Sequence, residues 1–303
     1  MAALTFRQAE GAPPQDAAPA RAGRRLLPYL LLLPGLAWLT IFFVVPIVTL
    51  LATSLQTPSP SGEIGAFDQT FRFANFVDAA TAYGPQFTRA FLYAGIATVL
   101  ALLIGYPLAY MIAFKSGRLR NLLLVLVVAP FFTSFILRTV AWRQILGEEG
   151  FIVPGLKALH LVPEDLALTA SGFAVVAGIT YNFLPFMTLP LYASIERLDP
   201  RLLEAGADLY GSPLTVLRKV TLPLTLPGMV TGFALTFSLT LSAFATPRIL
   251  GGRTVHTTAT QIYDQMLFLL NWPLAGAIAV IVLVISILVL WATSRVQNRV
   301  VIA

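Results

Sequence analysis

Two carboxylates spaced four residues apart, Glu204 and Asp208, stand in the most informative segment of this sequence, Leu202 to Gly228. Residues at positions i and i+4 share one face of an α-helix, so these side chains would form a small acidic surface. A groove lined by Arg or Lys on another protein would suit such a surface. The chemistry that the segment indicates is therefore docking to a soluble partner.

The segment begins with the signals of a short amphipathic helix. Asp199 is a good N-cap, Pro200 fits the first helical position, and apolar residues follow at helical spacing. Tyr210 and Gly211 interrupt this pattern. We therefore expect one helix that ends in a sharp turn.

A second helix follows the turn, with Ser212 as its cap, Pro213 at its start and Pro223 at its end. In the first helix, the small residues Ala205 and Gly206 would let the surface of another protein approach closely. An amphipathic helix that merely lies on a membrane surface has the same pattern. The pattern alone leaves both readings open.

The elements around this segment are membrane spans. The composition is 57% apolar and 11% charged over 303 residues, against roughly 25% charged residues in ordinary soluble domains, and the mean hydropathy is +0.80. Runs of about 20 apolar residues are long enough to cross a bilayer as helices. Six such runs are predicted: Pro28–Thr53, Arg89–Phe114, Asn121–Leu146, Ser171–Ala193, Pro227–Leu250 and Pro273–Ser294.

These runs predict an all-α membrane protein, because no alternating segments typical of a barrel are present. With both termini in the cytoplasm, 13 of the 20 Lys and Arg residues fall on the cytoplasmic side. The domain prediction is a disordered cytoplasmic tail over residues 1–25 and a six-helix domain over residues 26–303. The docking segment is then a cytoplasmic loop over residues 194–226.

The remaining chemistry is sparse. The chain has no cysteine and two histidines, His160 and His256, so it shows no metal-ligand cluster and no catalytic constellation. It also lacks a Walker A sequence, so it is not expected to hydrolyse ATP itself. Anchoring at an anionic inner leaflet explains the net charge of +6, and nucleic acid is not expected as a partner.

Polar and aromatic residues at membrane depth are candidates for lining a solute pathway, because such side chains usually face the interior of a helix bundle. Hydrogen bonding between packed helices is the simpler explanation for each polar residue, and interfacial anchoring is the simpler explanation for Arg138. The candidates are Thr133, Ser134, Arg138, Trp142, Tyr181, Asn182 and Phe244, with Thr236, Ser238, Thr240 and Ser242 on the fifth span.

The docking segment resembles the EAA loop of the membrane subunits of binding-protein-dependent ABC importers of type I. Glu204, Ala205 and Gly206 match the Glu-Ala-Ala, and Val220–Pro223 matches the later Ile-x-Leu-Pro. Tyr210 stands where the family has its turn glycine, with Gly211 one place later. The stretches GYPLAY, APFFTSFILRT, YNFLPFMTLPLYASIERLD and NWPLAGA are similar to the spermidine/putrescine permease group.

The resemblance implies a set of partners. Two permeases, usually different chains, form the pathway above two ATPase subunits that hold ATP and Mg, and a periplasmic binding protein delivers the solute. This chain would then bind no cofactor and would lie in the bacterial inner membrane as a multi-pass protein. The ATPase-coupling residues implied are Glu204, Ala205, Gly206, Asp208, Gly211, Leu222 and Pro223.

The implied solute is a polyamine, but no Asp or Glu lies inside any predicted span, where a polycation would favour carboxylates or aromatic faces. The partner permease would have to supply the acids, or aromatic residues would serve instead. An opine or amino-acid derivative, for which Arg138 would be helpful, is the alternative solute. The alternative from another class, an ion-coupled secondary transporter, should show inverted repeats, and none is evident.

Overall fold

In the computed structural model of the chain, the structure describes residues 27–60, 63, 65–160, 163 and 167–302. The tail expected over residues 1–25 lies outside this range. The described residues are mainly helical, with one hairpin of short antiparallel strands, β1 (Gln56–Pro58) and β2 (Phe67–Gln69). The prediction of an all-α membrane protein is confirmed, and the hairpin is an addition to it.

The α-helices fall into three stretches of the chain. The first contains α1 (Leu27–Leu39), α2 (Val45–Ser54), α3 (Ala74–Ala82) and α4 (Gly84–Tyr110). The second contains α5 (Arg120–Val128), α6 (Phe135–Ile145), α7 (Ile152–Ala158) and α8 (Gly172–Glu196). The third contains α9 (Pro200–Tyr210), α10 (Pro213–Val216), α11 (Leu222–Leu241), α12 (Ala245–Leu250), α13 (Thr258–Leu267) and α14 (Trp272–Ile302).

The chain divides into two compact units, residues 1–49 and 50–303. In the first unit, a π-helical turn over Thr40–Val44 continues α1 into α2. The Thr40 hydroxyl donates to the carbonyl of Leu36, which satisfies it within the helix. The large apolar side chains are exposed, Leu31 by 73%, as suits a helix whose solvent is lipid.

The core of the second unit is formed by α4, α8 and α11. Small residues permit their close packing, as is usual between membrane helices. A Cβ atom added to Gly228 of α11 would lie 2.3 Å from Cβ of Ser194 and 2.8 Å from the carbonyl oxygen of Pro190 on α8. On α4, a stripe of alanines is buried at helical spacing: Ala90, Ala94, Ala97, Ala101 and Ala109.

Five helices in the described residues are long and apolar enough to cross a membrane, and a sixth span is present if one bent pair is counted as a single span. The five are Leu30–Ser54, Gly84–Lys115, Gly172–Glu196, Pro213–Leu241 and Trp272–Arg295. Four of the predicted spans agree with them within a few residues.

The predicted third span, Asn121–Leu146, corresponds to the bent pair of helical segments and not to one straight helix. The helical segments Gly117–Phe132 and Phe135–Ile145 meet at an angle of 95°. Thr133 between them is extended, with φ −103° and ψ 153°, and it follows a 3-10 turn that contains Pro130. A proline lacks the N–H that would continue the helical ladder, so a break at this point has a local cause.

The predicted fifth span, Pro227–Leu250, also needs correction. Its helix starts earlier, at Pro213, and ends at Leu241. The last residues of the predicted span form the separate short helix α12. The second helix of the docking segment, which starts at Pro213, therefore runs without interruption into a membrane span.

Candidate docking bend and solute pathway

The predicted start and turn of the first docking helix are confirmed by the geometry of α9. The Asp199 carboxylate accepts a hydrogen bond of 3.0 Å from the backbone N–H of Arg201, and Pro200 is the first helical residue. The helix ends at Gly211, whose φ of +67° lies in the left-handed region that favours glycine. The turn thus uses the glycine one place after the family's usual position.

The second docking helix was partly mispredicted. The Ser212 side chain makes no capping hydrogen bond, although the Ser212 carbonyl accepts from Thr215 and Val216. Pro223 does not end the helix, because a π-helical turn over Leu217–Thr221 leads directly into α11. Pro223 lies in the first turn of α11, where the missing N–H leaves no gap in that helix's own ladder. Leu222 is the first residue of that helix.

Gly206 does not face a partner, contrary to the sequence-based expectation. It is buried, and a Cβ atom added there would lie 3.2 Å from Cγ2 of Val220 and 3.3 Å from Cγ1 of Val216. Its small size therefore lets the two arms of the docking bend, α9 and the helical segment that starts at Pro213, approach each other. Ala205 remains exposed.

The exposed face of α9 carries both acidic residues. At 100° per residue, Glu204, Asp208, Ala205, Leu209 and Leu202 lie within one arc of the helix, and the exposed Arg201 lies between Asp208 and Ala205 on it. The other five are also exposed, Leu202 by 47% and Leu209 by 74%. Neither carboxylate forms an ion pair with another described residue. We name this arc the docking face.

The opposite side of α9 lines a cavity of about 760 Å³. Leu203 and Ala207 of α9 contribute to it, together with Tyr106 and Tyr110 of α4 and Lys115. One arc of the helix is thus turned toward its own chain, which leaves the docking face to an outside surface.

Tyr210 has a role that the sequence did not reveal. The Nζ atom of Lys219, from the π-helical turn, lies 4.6 Å from the centre of the Tyr210 ring. Such a cation–π contact links the two arms of the bend across Gly211. The nine-residue separation gave no helical spacing by which to find it.

Another pair holds the end of α8 to the start of α5. Arg120 forms a salt bridge with Glu196 at the end of α8, and its guanidinium lies 5.2 Å from the centre of the Tyr192 ring. The basic segment before α5 and the start of the docking segment therefore lie at the same end of the bundle, as the predicted topology requires.

Asn182, a pathway candidate, lies among buried hydroxyl groups. Its side chain is 1% exposed, and its Nδ2 atom donates at 3.3 Å to the hydroxyl oxygens of both Thr139 and Thr246. These bonds join α6, α8 and α12. The simpler explanation, hydrogen bonding between helices, therefore accounts for most of what Asn182 does, and its Oδ1 atom accepts no bond within the described residues.

The other candidates on the third and fourth spans lie at the helix break or along α6 and α8. Thr133 and Ser134 are exposed there, and the Thr133 hydroxyl donates to the Pro130 carbonyl at 2.7 Å. The rings of Trp142 and Tyr181 have centres 5.5 Å apart, so α6 and α8 share an aromatic contact.

Arg138 lies close to the same break. Its guanidinium lies 5.4 Å from the centre of the Phe131 ring and 5.7 Å from that of Phe135. The Nε and Nη1 atoms are buried and have no hydrogen-bond partner among the described residues. These two nitrogens therefore do not reach solvent in the way expected of an interfacial anchor.

Phe244 lies apart from this group, at the start of α12. Its ring stacks on Tyr263 of α13, with centres 4.5 Å apart. On the fifth span, Thr236 and Thr240 are buried, and the hydroxyls of Ser238, Thr240 and Ser242 donate to carbonyls of their own helix. Self-satisfied hydroxyls of this kind are typical of helices in lipid.

Comparison with known proteins identifies the family of this chain. The family described as binding-protein-dependent transport system inner membrane component matches residues 101–302. The spermidine/putrescine transport system permease protein PotB of Haemophilus influenzae is 33% identical over 267 residues, which cover 87% of this chain and 92% of that protein. PotB of Escherichia coli is 30% identical and covers 86% and 96%, respectively.

A solved structure shares the fold. The bacterial alginate ABC transporter in complex with alginate pentasaccharide-bound periplasmic protein contains a chain that matches with a TM-score of 0.70. The match covers 92% of this chain and 96% of the other at 20% identity, so it bears on the fold alone. The helices form the type I ABC importer permease fold in a multi-pass inner-membrane protein. The chain belongs to the family of binding-protein-dependent transport system inner membrane components, the permease subunits of ABC importers.

Proposed function

We propose that this permease subunit takes up a polyamine with energy from ATP, and that the docking face of α9 is where a separate ATPase subunit binds it. The main support for the proposal is the docking face, where Glu204, Asp208 and Leu209 are exposed and no other described residue covers them. An exposed apolar stripe beside unpaired charges is typical of a protein–protein contact surface.

The proposed partners are a second permease subunit, two ATPase subunits that hold ATP and Mg, and a periplasmic substrate-binding protein. Both termini would then lie in the cytoplasm, on the same side as the docking face. The proximity of Arg120 and Glu196 supports this arrangement, since both belong to segments assigned to the cytoplasm.

The mechanism follows from the continuity of the bend with α11. ATP closure of the two ATPase subunits would move α9, and the Gly206 contact with Val216 and Val220 would transmit that movement to the second arm of the bend. Because that arm runs without a break into α11, the displacement would reach the core packing at Gly228. Rigid, close-packed elements transmit such shifts as a unit.

The similarity to permeases named for spermidine and putrescine supports a polyamine as the solute. One observation favours a second candidate, an opine or amino-acid derivative. The guanidinium of Arg138 has two buried nitrogens without partners, and a solute carboxylate would satisfy them.

The function is tested by ATP-driven uptake in proteoliposomes that contain the purified transporter and its binding protein. Labelled spermidine and a labelled opine are supplied separately, with a non-hydrolysable ATP analogue as the control. We expect spermidine uptake that requires hydrolysable ATP. Uptake that continues without the ATPase subunits would contradict the proposal, and ATP-driven uptake of the opine alone would transfer it to the second solute.

A further inference from the structure

One acidic residue on α13 lies outside the predicted membrane spans. Asp264 is only 17% exposed, although the sequence between the fifth and sixth predicted spans gave no sign of burial. Its Oδ1 atom is buried and accepts no hydrogen bond of good geometry within the described residues. The carboxylate therefore retains capacity for another donor.

The group that faces Asp264 is a cation from the same chain. The Nη1 atom of Arg248, on α12, lies 3.1 Å from Oδ1 and 3.3 Å from Oδ2 of Asp264. The guanidinium carbon also lies 5.7 Å from the centre of the Tyr263 ring and 5.8 Å from that of Phe268. Arg248 is thus held by one carboxylate and the faces of two aromatic rings.

Other rings hold this arrangement in place. Phe244 stacks on Tyr263, and Phe268 meets Tyr263 edge-on with centres 5.9 Å apart. His256 is the other titratable neighbour, with Nδ1 3.8 Å from Oδ2 of Asp264. The cluster therefore combines a largely buried acid with preformed aromatic faces.

We propose that Asp264, Tyr263 and Phe268 form a binding site for an ammonium group of the transported polyamine, and that Arg248 occupies this site when no solute is bound. This inference rests on the proposed polyamine function. Carboxylates and aromatic faces recognise alkylammonium and guanidinium ions by the same electrostatics, so one cation can replace the other. The exchange conserves charge at the site, since Arg248 is 37% exposed and moves out into solvent as the ammonium enters.

A purely structural salt bridge between α12 and α13 predicts different behaviour. Removal of either partner would then weaken the fold in the same direction, with no selective effect on a cation. An occupied binding site instead predicts opposite effects, because Arg248 competes with the solute whereas Asp264 binds it. The chain offers a matched control in the exposed pair Arg72 and Asp78, which are 3.1 Å apart.

The experiment measures equilibrium binding of radiolabelled spermidine to the whole purified transporter without binding protein, and the KM of ATP-driven uptake with it. We expect Arg248→Met to bind spermidine roughly tenfold more tightly and Asp264→Asn roughly tenfold more weakly, each about 1.4 kcal/mol. The double variant should bind as weakly as Asp264→Asn. Arg72→Met and Asp78→Asn should change neither quantity.

Equal weakening by Arg248→Met and Asp264→Asn, or no change in either, would overturn the site. Should a charge variant fail to assemble, Phe268→Leu keeps the ion pair and removes one aromatic face from an exposed position, so it should weaken binding about threefold. Unchanged binding in that variant would equally overturn the site.

The two proposals fail separately. Spermidine uptake whose KM is independent of Asp264 would leave the polyamine function intact and refute the site. Spermidine binding that depends on Asp264, in a transporter that moves no spermidine, would support the site and refute the polyamine function.

Discussion

Polar groups are exposed on the docking face of α9 but buried and hydrogen-bonded around Asn182. On α9, Glu204 and Asp208 are exposed and have no ion-pair partner among the described residues. Around Asn182, the amide nitrogen donates to the hydroxyls of Thr139 and Thr246, and all three residues are buried. Unpaired exposed charges indicate a surface that awaits a partner, whereas mutually bonded buried groups indicate helix packing.

Charge reversal on the docking face should have the largest effect. In the double variant Glu204→Lys and Asp208→Lys, two attractions become two repulsions, so co-purification of the ATPase subunit and ATP-driven uptake should both fall at least about 100-fold. Pull-down and uptake assays measure this. The control is Glu148→Lys with Glu149→Lys, which reverses two exposed acids elsewhere, and equal loss in that control would contradict the role of α9.

Overpacking in the core should have the next largest effect. Gly228→Ala places a Cβ atom 2.3 Å from Cβ of Ser194, and we expect it to lower the free energy of unfolding by about 3 kcal/mol. The thermal unfolding midpoint in detergent measures the loss. Gly95→Ala on α4 is the matched control, because nothing lies within 4 Å of its added Cβ, and it should leave the midpoint unchanged or raise it. A harmless Gly228→Ala would show that α8 and α11 are not closely packed.

Removal of the interior amide should act on stability more than on transport. Asn182→Ala loses the bonds to Thr139 and Thr246, and we expect it to lower the free energy of unfolding by about 1–2 kcal/mol while the KM for solute changes less than twofold. Thermal midpoints and uptake kinetics separate the two quantities. A large rise in KM at an unchanged midpoint would instead make Asn182 part of the solute pathway.

The smallest expected effect concerns the contact across the turn. Tyr210→Leu should lower stability by about 0.5–1 kcal/mol through loss of the Lys219 contact, and Tyr210→Phe should keep most of it. A double-mutant cycle with Lys219→Met isolates this coupling. Additive single effects in that cycle would show that the ring and the ammonium do not interact.

Local signals in the sequence were sufficient for much of the bend. The Asp199 cap, the Pro200 start and the turn at Gly211 depend on neighbouring residues and were predicted. The burial of Gly206 against Val216 and Val220 was not, because the angle between two helices is a tertiary property. The prediction that Pro223 ends the second docking helix is wrong, because a π-helical turn lets the helix continue beyond it.

The structure of the membrane-spanning region is harder to predict from the sequence. Hydropathy predicts where the spans lie but not the 95° bend at Thr133, because an average over a whole span contains no information on the direction of the backbone within it. Asp264 lies on α13, outside the predicted spans, so hydropathy gives no indication that its side chain is only 17% exposed. The pairing of Arg248 with Asp264 joins separate helices, so no spacing rule could predict it.

Cross-linking from the docking face tests the central claim most directly. The chain has no cysteine, so single-cysteine variants have no background reaction. Ala205→Cys on the exposed arc and Val216→Cys, which is 8% exposed, are compared in the assembled transporter with a thiol-to-amine cross-linker. Efficient capture of the ATPase subunit by Ala205→Cys, and none by Val216→Cys, is the expected result. Capture of lipid amines alone from Ala205→Cys would contradict the account.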